Sequence, residues 1–280
     1  MKIIESPSEI QAFALAERTK GHRIGFVPTM GALHSGHTSL MTLAREHCDI
    51  LVVSIFVNPL QFAAGEDLDT YPHTPEADHA KCEQHGVDIV FRPSQMYLDD
   101  HNTTVSVAGL SNGLCGASRP THFDGVTTVV ARLFGLVQPH IAVFGQKDFQ
   151  QLTIIRRMVE DLAIPVEIIG APIIREEDGI AMSSRNAYLS ESERVRARSI
   201  SKALQTIQAN VLSGEYDSAK LLSTIQDILD VDTMDYISFV DPNTLESVEH
   251  IKQTTQLCIA AFLGTTRLID NCTLHREDLA

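Results

Sequence analysis

The chain holds 280 residues, 44% of them apolar and 21% charged, the balance of a soluble globular protein with room for one large domain or two ordinary ones. Lys and Arg number 22 against 36 Asp and Glu, and the resulting net charge of −14 repels a phosphate backbone, which argues against nucleic acid as a partner. Apolar runs such as 50–53 and 258–263 fall far short of the ~20 residues of a membrane span, and the opening MKIIESPSEI lacks the apolar centre of a signal peptide. A cytoplasmic protein that avoids membranes is expected. Five cysteines (Cys48, Cys82, Cys115, Cys258 and Cys272) make an odd count with no CxxC spacing, so neither a disulfide framework nor a zinc knuckle is suggested.

In chain order, Ser6-Pro7-Ser8-Glu9 reads as a capped helix start, with proline in the first turn and Gly21 closing the segment. Residues 24–28 read as a strand, 36–47 as a helix with Leu40, Leu43 and Ala44 on one face, and 50–57 as a continuous apolar strand, together a βαβ unit. The alternation continues with helix 75–85 ending at Gly86, strand 88–91, helix 125–137, strand 140–144, helix 148–162 and strand 166–169. Strands this uniformly apolar belong in a parallel sheet covered on both faces. The expected architecture is α/β: a Rossmann-like doubly wound parallel sheet over residues 1–180, then a smaller C-terminal α+β domain over 181–280. The latter rests on helices at 190–212 and 217–229 followed by strands at 236–240, 256–263 and 267–269.

Three motifs carry chemistry. The first, Pro28-Thr-Met-Gly-Ala-Leu-His-Ser-Gly-His37, sits where a strand ends and a helix begins, the place where open α/β sheets bind ligands and where free N–H groups favour an anion such as phosphate. Gly31 and Gly36 permit close approach, and His34 and His37, three apart, are able to donate to one phosphate and stabilise charge as phosphorus is attacked. A pair that merely caps and packs is the bland alternative, and a zinc pair lacks a third ligand at suitable spacing. The second motif, Phe144-Gly-Gln-Lys-Asp148, puts Lys147 at a strand terminus as a point charge for a triphosphate, with Asp148 as helix cap or ribose partner. The third, Arg175 to Asn186, is a polar segment whose hydroxyls and guanidinium suit a mobile loop closing over leaving phosphates, or an ordinary linker.

With VPTMGALHSGH, VSIFVNPLQF, DLDTYP, ASRPTHFDGV, FGQKDFQQL, DGIAMSSRNAYL and RLIDN standing in order, nearly the whole chain resembles the pantothenate synthetase family, pantoate–β-alanine ligases of the HIGH-type nucleotidyltransferase superfamily. The resemblance implies ATP binding by Met30, Gly31, Ala32, Leu33, His34, Ser35, Gly36 and His37, by Gly145, Gln146, Lys147 and Asp148, by the backbone near Ile174, and by Met182, Ser183, Ser184 and Arg185. It assigns His37, His34 and Lys147 to catalysis, with His37 as proton donor. Gln61 would bind pantoate and then β-alanine, and Gln151 would bind pantoate; surface solvation is the bland alternative for either amide. Gln146 stands where the family commonly has a glutamate, and the MSSR segment lacks the first lysine of a KMSKS loop, which leaves Arg185 and Lys147 as the cations.

The activity implied is two-step condensation of pantoate with β-alanine through pantoyl adenylate, using ATP with its accompanying Mg²⁺ and releasing AMP and pyrophosphate. No protein-only metal site is implied, and a homodimer is. Competing readings are a nucleotidyltransferase acting on a phosphorylated acceptor, for which residues 58–62 offer no basic side chain, and a non-catalytic nucleotide sensor, against which His34, His37 and Lys147 argue.

Overall fold

The computed structural model describes residues 1–63 and 65–276. The chain opens with a strand that the composition did not betray, β1 (Lys2–Ile4), too short for its periodicity to register. Ser6 then caps α1 (Pro7–Thr19), its hydroxyl accepting the Glu9 N–H at 3.4 Å. There follow β2 (Ile24–Thr29), α2 (Ser35–Arg45), β3 (Ile50–Ile55), a 3₁₀ turn at Pro59–Gln61, α3 (Pro75–Gln84) and β4 (Ile89–Phe91). After a long irregular stretch come the short α4 (Cys115–Ser118), α5 (His122–Val137), β5 (Ile141–Gly145), a 3₁₀ turn at Gln146–Asp148, α6 (Phe149–Asp161) and β6 (Glu167–Ala171). Each expected element of this half is present.

The six strands form one parallel sheet in the order β1-β4-β3-β2-β5-β6. Strand side chains alternate between two buried layers. Phe26, Val52, Phe91 and Phe144 face the layer covered by α1, α5 and α6, while Val27, Val53, Val90 and Val143 face the layer beneath α2 and α3. Burial on both faces explains why these strands read as unbroken apolar runs, each such side chain contributing about 1.5–3 kcal/mol relative to exposure. The order reverses at β2, which pairs with β3 on one side and β5 on the other, so a crevice opens at the carboxyl ends of β2 and β5.

Beyond a 3₁₀ turn at Ser184–Tyr188 lie α7 (Glu191–Leu212), α8 (Ser218–Ile228) and an antiparallel sheet β7 (Thr233–Val240), β8 (Thr254–Leu263), β9 (Thr266–His275) with its own core around Ile200, Leu204, Leu221 and Leu257. Ser190 and Glu193 cap α7 reciprocally. Strand β9 is far longer than the expected 267–269, because Asp270 and Asn271 interrupt its apolar pattern although both are buried. Each has a partner from the other sheet's side of the molecule. Arg175 grips Asp270 through two hydrogen bonds, at 2.7 and 3.1 Å, and Asn271 donates to the carbonyls of Gln146 and Lys147 at 3.0 and 2.8 Å. No helix among the described residues is long and apolar enough to cross a membrane.

Candidate active site

At the reversal point, His34 is the N-cap of α2. Its Nδ1 accepts the Gly36 N–H at 3.1 Å, and His37 Nδ1 accepts the His34 N–H at 3.3 Å, a reciprocal cap built from two imidazoles whose ring centres lie 4.1 Å apart. The capping alternative is therefore real, and it does not exclude a chemical role. A nitrogen that accepts carries no proton, so each neutral ring holds its hydrogen on Nε2, which has no partner among the described residues and belongs to a side chain lining the cavity. Burial, then the charges of His37 and Lys147, push His34 down to about 3; burial, then Lys147 and Lys81, push His37 down to about 4. Both are neutral hydrogen-bond donors near pH 7. Gly36 is obligatory here, since a Cβ would lie 2.9 Å from the His34 ring.

The cavity, about 260 Å³, runs on from these rings past Met30, Gly145, Lys147, Asp148, Gln151, Ile174 and residues 182–185 to Gln61. It adjoins a second space of about 780 Å³ reaching the C-terminal sheet, and Lys147, Gln151, Ser183 and Arg185 border both. Gly31, Ala32, Leu33, Ser35 and Gln146 do not line either space. Ala32 and Leu33 instead give their N–H groups to the buried Asp78, and the Gln146 amide turns to the Gly170 carbonyl at 3.3 Å. Asp148 makes no side-chain cap to α6, which corrects the expectation of a helix cap and leaves its carboxylate exposed beside Lys147.

Gln61 is buried, not solvated. The Asn58-Pro59 turn aims it inward: its Oε1 accepts from Asn58 Nδ2 at 3.1 Å and its Nε2 approaches the Met30 sulfur at 3.3 Å. Gly125 lets α5 lie directly on this turn, because a Cβ there would sit 2.3 Å from the Leu60 carbonyl oxygen. Gln151 is half-buried at the cavity wall, while its neighbour Gln150 is spent on the Cys115 N–H and the carbonyls of Leu110 and Gly113.

Both expected cations line the cavity, in different surroundings. Lys147 has no acidic partner among the described residues, whereas Arg185 is held by Asp67 through two hydrogen bonds, at 3.0 and 2.8 Å. Ser183 caps the 3₁₀ turn by accepting the Arg185 N–H at 3.3 Å. The segment 175–182 is no open loop: Arg175 and Ala181 pair as a hairpin, Met182 donates to the Ile174 carbonyl, and Asn186 and Arg194 bind Glu176.

Sequence reasoning missed Tyr71, Arg119 and His122 and read Asn58 only as part of the turn that aims Gln61; all four are on the cavity wall. Arg119 grips Glu66 and reaches the Gln61 carbonyl, to which His122 Nδ1–H donates at 2.8 Å. Burial and then the Arg119 charge push His122 down to about 4. All four lie within the recognised runs NPLQF, DLDTYP and ASRPTHFDGV, the signal that was available for them.

A family model for pantoate-beta-alanine ligase matches residues 2–273. The chain belongs to that family. It is 51% identical to a pantothenate synthetase of Geotalea uraniireducens, over 99% of this chain and 100% of that one, and 50% identical to one of Maridesulfovibrio salexigens, over 97% and 98%. Among solved structures, the pantothenate synthetase of Thermus thermophilus superposes with a TM-score of 0.92 at 42% identity, covering 97% of this chain and 99% of that chain. The pantoate-beta-alanine ligase of Francisella tularensis, solved with beta-gamma ATP and β-alanine, gives 0.78 at 31%, covering 97% of each. These likenesses extend through both sheets of the ligase fold.

Proposed function

We propose that the site condenses pantoate with β-alanine, using ATP, through a pantoyl adenylate. In the first step a pantoate carboxylate oxygen attacks the α-phosphorus, the bond to the bridging oxygen of the β-phosphate breaks, and pyrophosphate leaves. In the second the β-alanine amine, having lost the proton of its ammonium form, attacks the acyl carbon; the nitrogen gives up a second proton to solvent, the acyl–oxygen bond breaks and AMP departs with pantothenate formed.

The observation that carries this reading is the convergence on one cavity of three kinds of group: two Nε2–H donors fixed by capping, the ammonium of Lys147, and the inward amide of Gln61. His34 and His37 would stabilise charge on the α-phosphate, and Lys147 would hold the phosphates in ground and transition state alike. Gln61 would donate through Nε2 to pantoate, with Gln151 as a second amide for that acid and Gln61 meeting β-alanine afterwards. Met30, Gly36, Gly145, Asp148, Ile174 and residues 182–184 would enclose the nucleotide, with Arg185 free to join once Asp67 releases it. Mg²⁺ would arrive on the phosphates as part of the nucleotide. An acceptor bearing its own phosphate is disfavoured, since the added cation near Gln61, Arg119, is already neutralised by Glu66. By the same reading, residues 1–180 bind ATP and pantoate, 181–280 close over them, and the enzyme works as a cytoplasmic homodimer.

The test is pyrophosphate release from ATP and pantoate without amine. A burst of about one equivalent per site, followed by AMP release on adding β-alanine, is expected. Pyrophosphate that appears only when β-alanine is present would overturn the order of steps.

A further inference from the structure

We infer that α3 is a positioning element for the reaction, with Asp78 and Lys81 clamping Ala32 and Leu33 so that α2 begins where its two histidines face the cavity. The inference rests on the ligase reading for its catalytic consequence and on geometry for the clamp itself.

The connection from β2 to α2 has two consecutive residues in the left-handed region, Gly31 at φ +86° and Ala32 at φ +49°. Glycine adopts this freely; alanine does not, because its Cβ crowds the backbone. Something must hold Ala32 there. Asp78 is 1% exposed, and its partners account for its burial: Oδ2 accepts the Ala32 N–H at 2.9 Å, while Oδ1 accepts the Leu33 N–H at 2.8 Å and the Thr74 hydroxyl at 3.0 Å. The charge also lies in the first turn of α3, where the helix dipole favours it. One turn on, Lys81 Nζ donates to the Leu33 carbonyl at 2.6 Å, so α3 holds both the N–H and the C=O of Leu33. A Cβ on Gly31 would lie 3.1 Å from Asp78 Oδ2, which shows how closely the carboxylate is seated on the loop.

His34 follows Leu33 directly, and its cap geometry fixes the Nε2–H orientation of both rings. Neither Asp78 nor Lys81 lines the cavity, so neither touches a substrate bound there. Their action passes through the loop. Lys81 adds a second effect, since its charge is among those that keep the two histidines neutral.

The experiment compares wild type, Asp78→Asn, Lys81→Gln, Ala32→Gly and the Asp78→Asn/Ala32→Gly double variant. Pyrophosphate release gives kcat and the KM for ATP and pantoate separately, long-range ¹H–¹⁵N spectra report the tautomers of His34 and His37, and melting curves report folding. Asp78→Asn is isosteric but turns an N–H₂ toward a backbone N–H. It should lower kcat by about tenfold or more, the usual consequence of misplacing catalytic groups, with the pantoate KM within about twofold and the Nε2–H tautomer signature weakened. Lys81→Gln should lower kcat a few-fold at an unchanged melting temperature, which keeps the clamp testable if Asp78→Asn fails to fold. Ala32→Gly makes the left-handed turn accessible without the clamp, so in the double variant it should recover several-fold in kcat and restore the histidine spectra.

A fall in melting temperature with normal kcat and normal spectra in Asp78→Asn and Lys81→Gln would reduce α3 to a structural role. Absence of rescue by Ala32→Gly would show that Asp78 does not act through the loop conformation. A wild type without ligase activity whose histidine spectra still respond to Asp78 would keep the clamp and remove the ligase reading.

Discussion

Asn58 turns its amide nitrogen to Gln61: Nδ2 donates to Gln61 Oε1 at 3.1 Å and to the Gly125 carbonyl at 3.0 Å, while Oδ1 receives the Tyr97 hydroxyl at 2.8 Å. A backbone carbonyl only accepts, so the Asn58 amide has one permissible orientation, and Gln61 is thereby obliged to present Nε2–H₂ away from Asn58. The amide that would meet pantoate is a donor by construction.

Gln61→Glu tests that polarity. The variant still offers an oxygen to Asn58 but faces the substrate with a carboxylate in place of a donor. A hydrogen bond to a charged group contributes about 1.5–3 kcal/mol, so kcat/KM for pantoate should fall by roughly 10- to 200-fold while the affinity for ATP is nearly unchanged. A deoxy analogue of pantoate should be rejected strongly by the wild type and less so by Gln61→Ala. Loss of ATP affinity with an unaltered preference between the acids would place Gln61 outside the acid pocket.

His37→Ala should lower turnover about 100-fold or more, because it removes a donor aimed at developing charge, while the lost cap on the His34 N–H costs only about 0.5–2 kcal/mol of stability. Wild-type turnover in this variant would remove His37 from the chemistry.

The same histidines set a pH expectation. His34 and His37 are neutral in the fold down to about 3 and about 4, against an ordinary value of 6.5. The unfolded chain therefore binds more protons below about pH 6.5, and stability due to these groups, full above that pH, drains away as pH falls toward 4 and 3. Pyrophosphate release should show no inflection near pH 6.5 from either ring, and denaturant titrations of wild type against His37→Gln should diverge in pH dependence only below that value. An acid limb near 6.5 that disappears in His37→Gln would mean that a protonated imidazole is the working form.

Lys147→Met should raise the KM for ATP and slow the first step together, since a point charge on the phosphates acts in ground and transition state alike. Unchanged ATP dependence would count against its position in the site.

Asn271→Leu should strip the partners from two carbonyls, those of Gln146 and Lys147, and the acceptor from Gln256 Nε2, all held by this one side chain. Unpaired buried polar groups cost about 1–3 kcal/mol each; a loss of about 2–5 kcal/mol in denaturant unfolding is expected, together with weaker ATP use as Lys147 shifts. Stability within about 0.5 kcal/mol of wild type would show that the tether is dispensable.

Much of this was legible in the chain itself. Unbroken apolar runs at 24–27, 50–53 and 141–144 declared strands buried on both faces, and Ser6, Gly21 and Gly86 marked helix ends, because periodicity and capping are local properties. The nucleotide motifs followed those strands and so fell at carboxyl ends, which in a parallel sheet share one edge. What the tertiary structure alone decided is which polar side chains are inside. Asp78 in an otherwise unremarkable polar helix, Asn271 in the middle of β9, and Asp67 against Arg185 all look like solvent-facing residues in sequence. Their partners lie 46, 124 and 118 positions away respectively. A buried carboxylate or amide is stable only when such a partner arrives to satisfy it, and that meeting depends on the folded path of the whole chain.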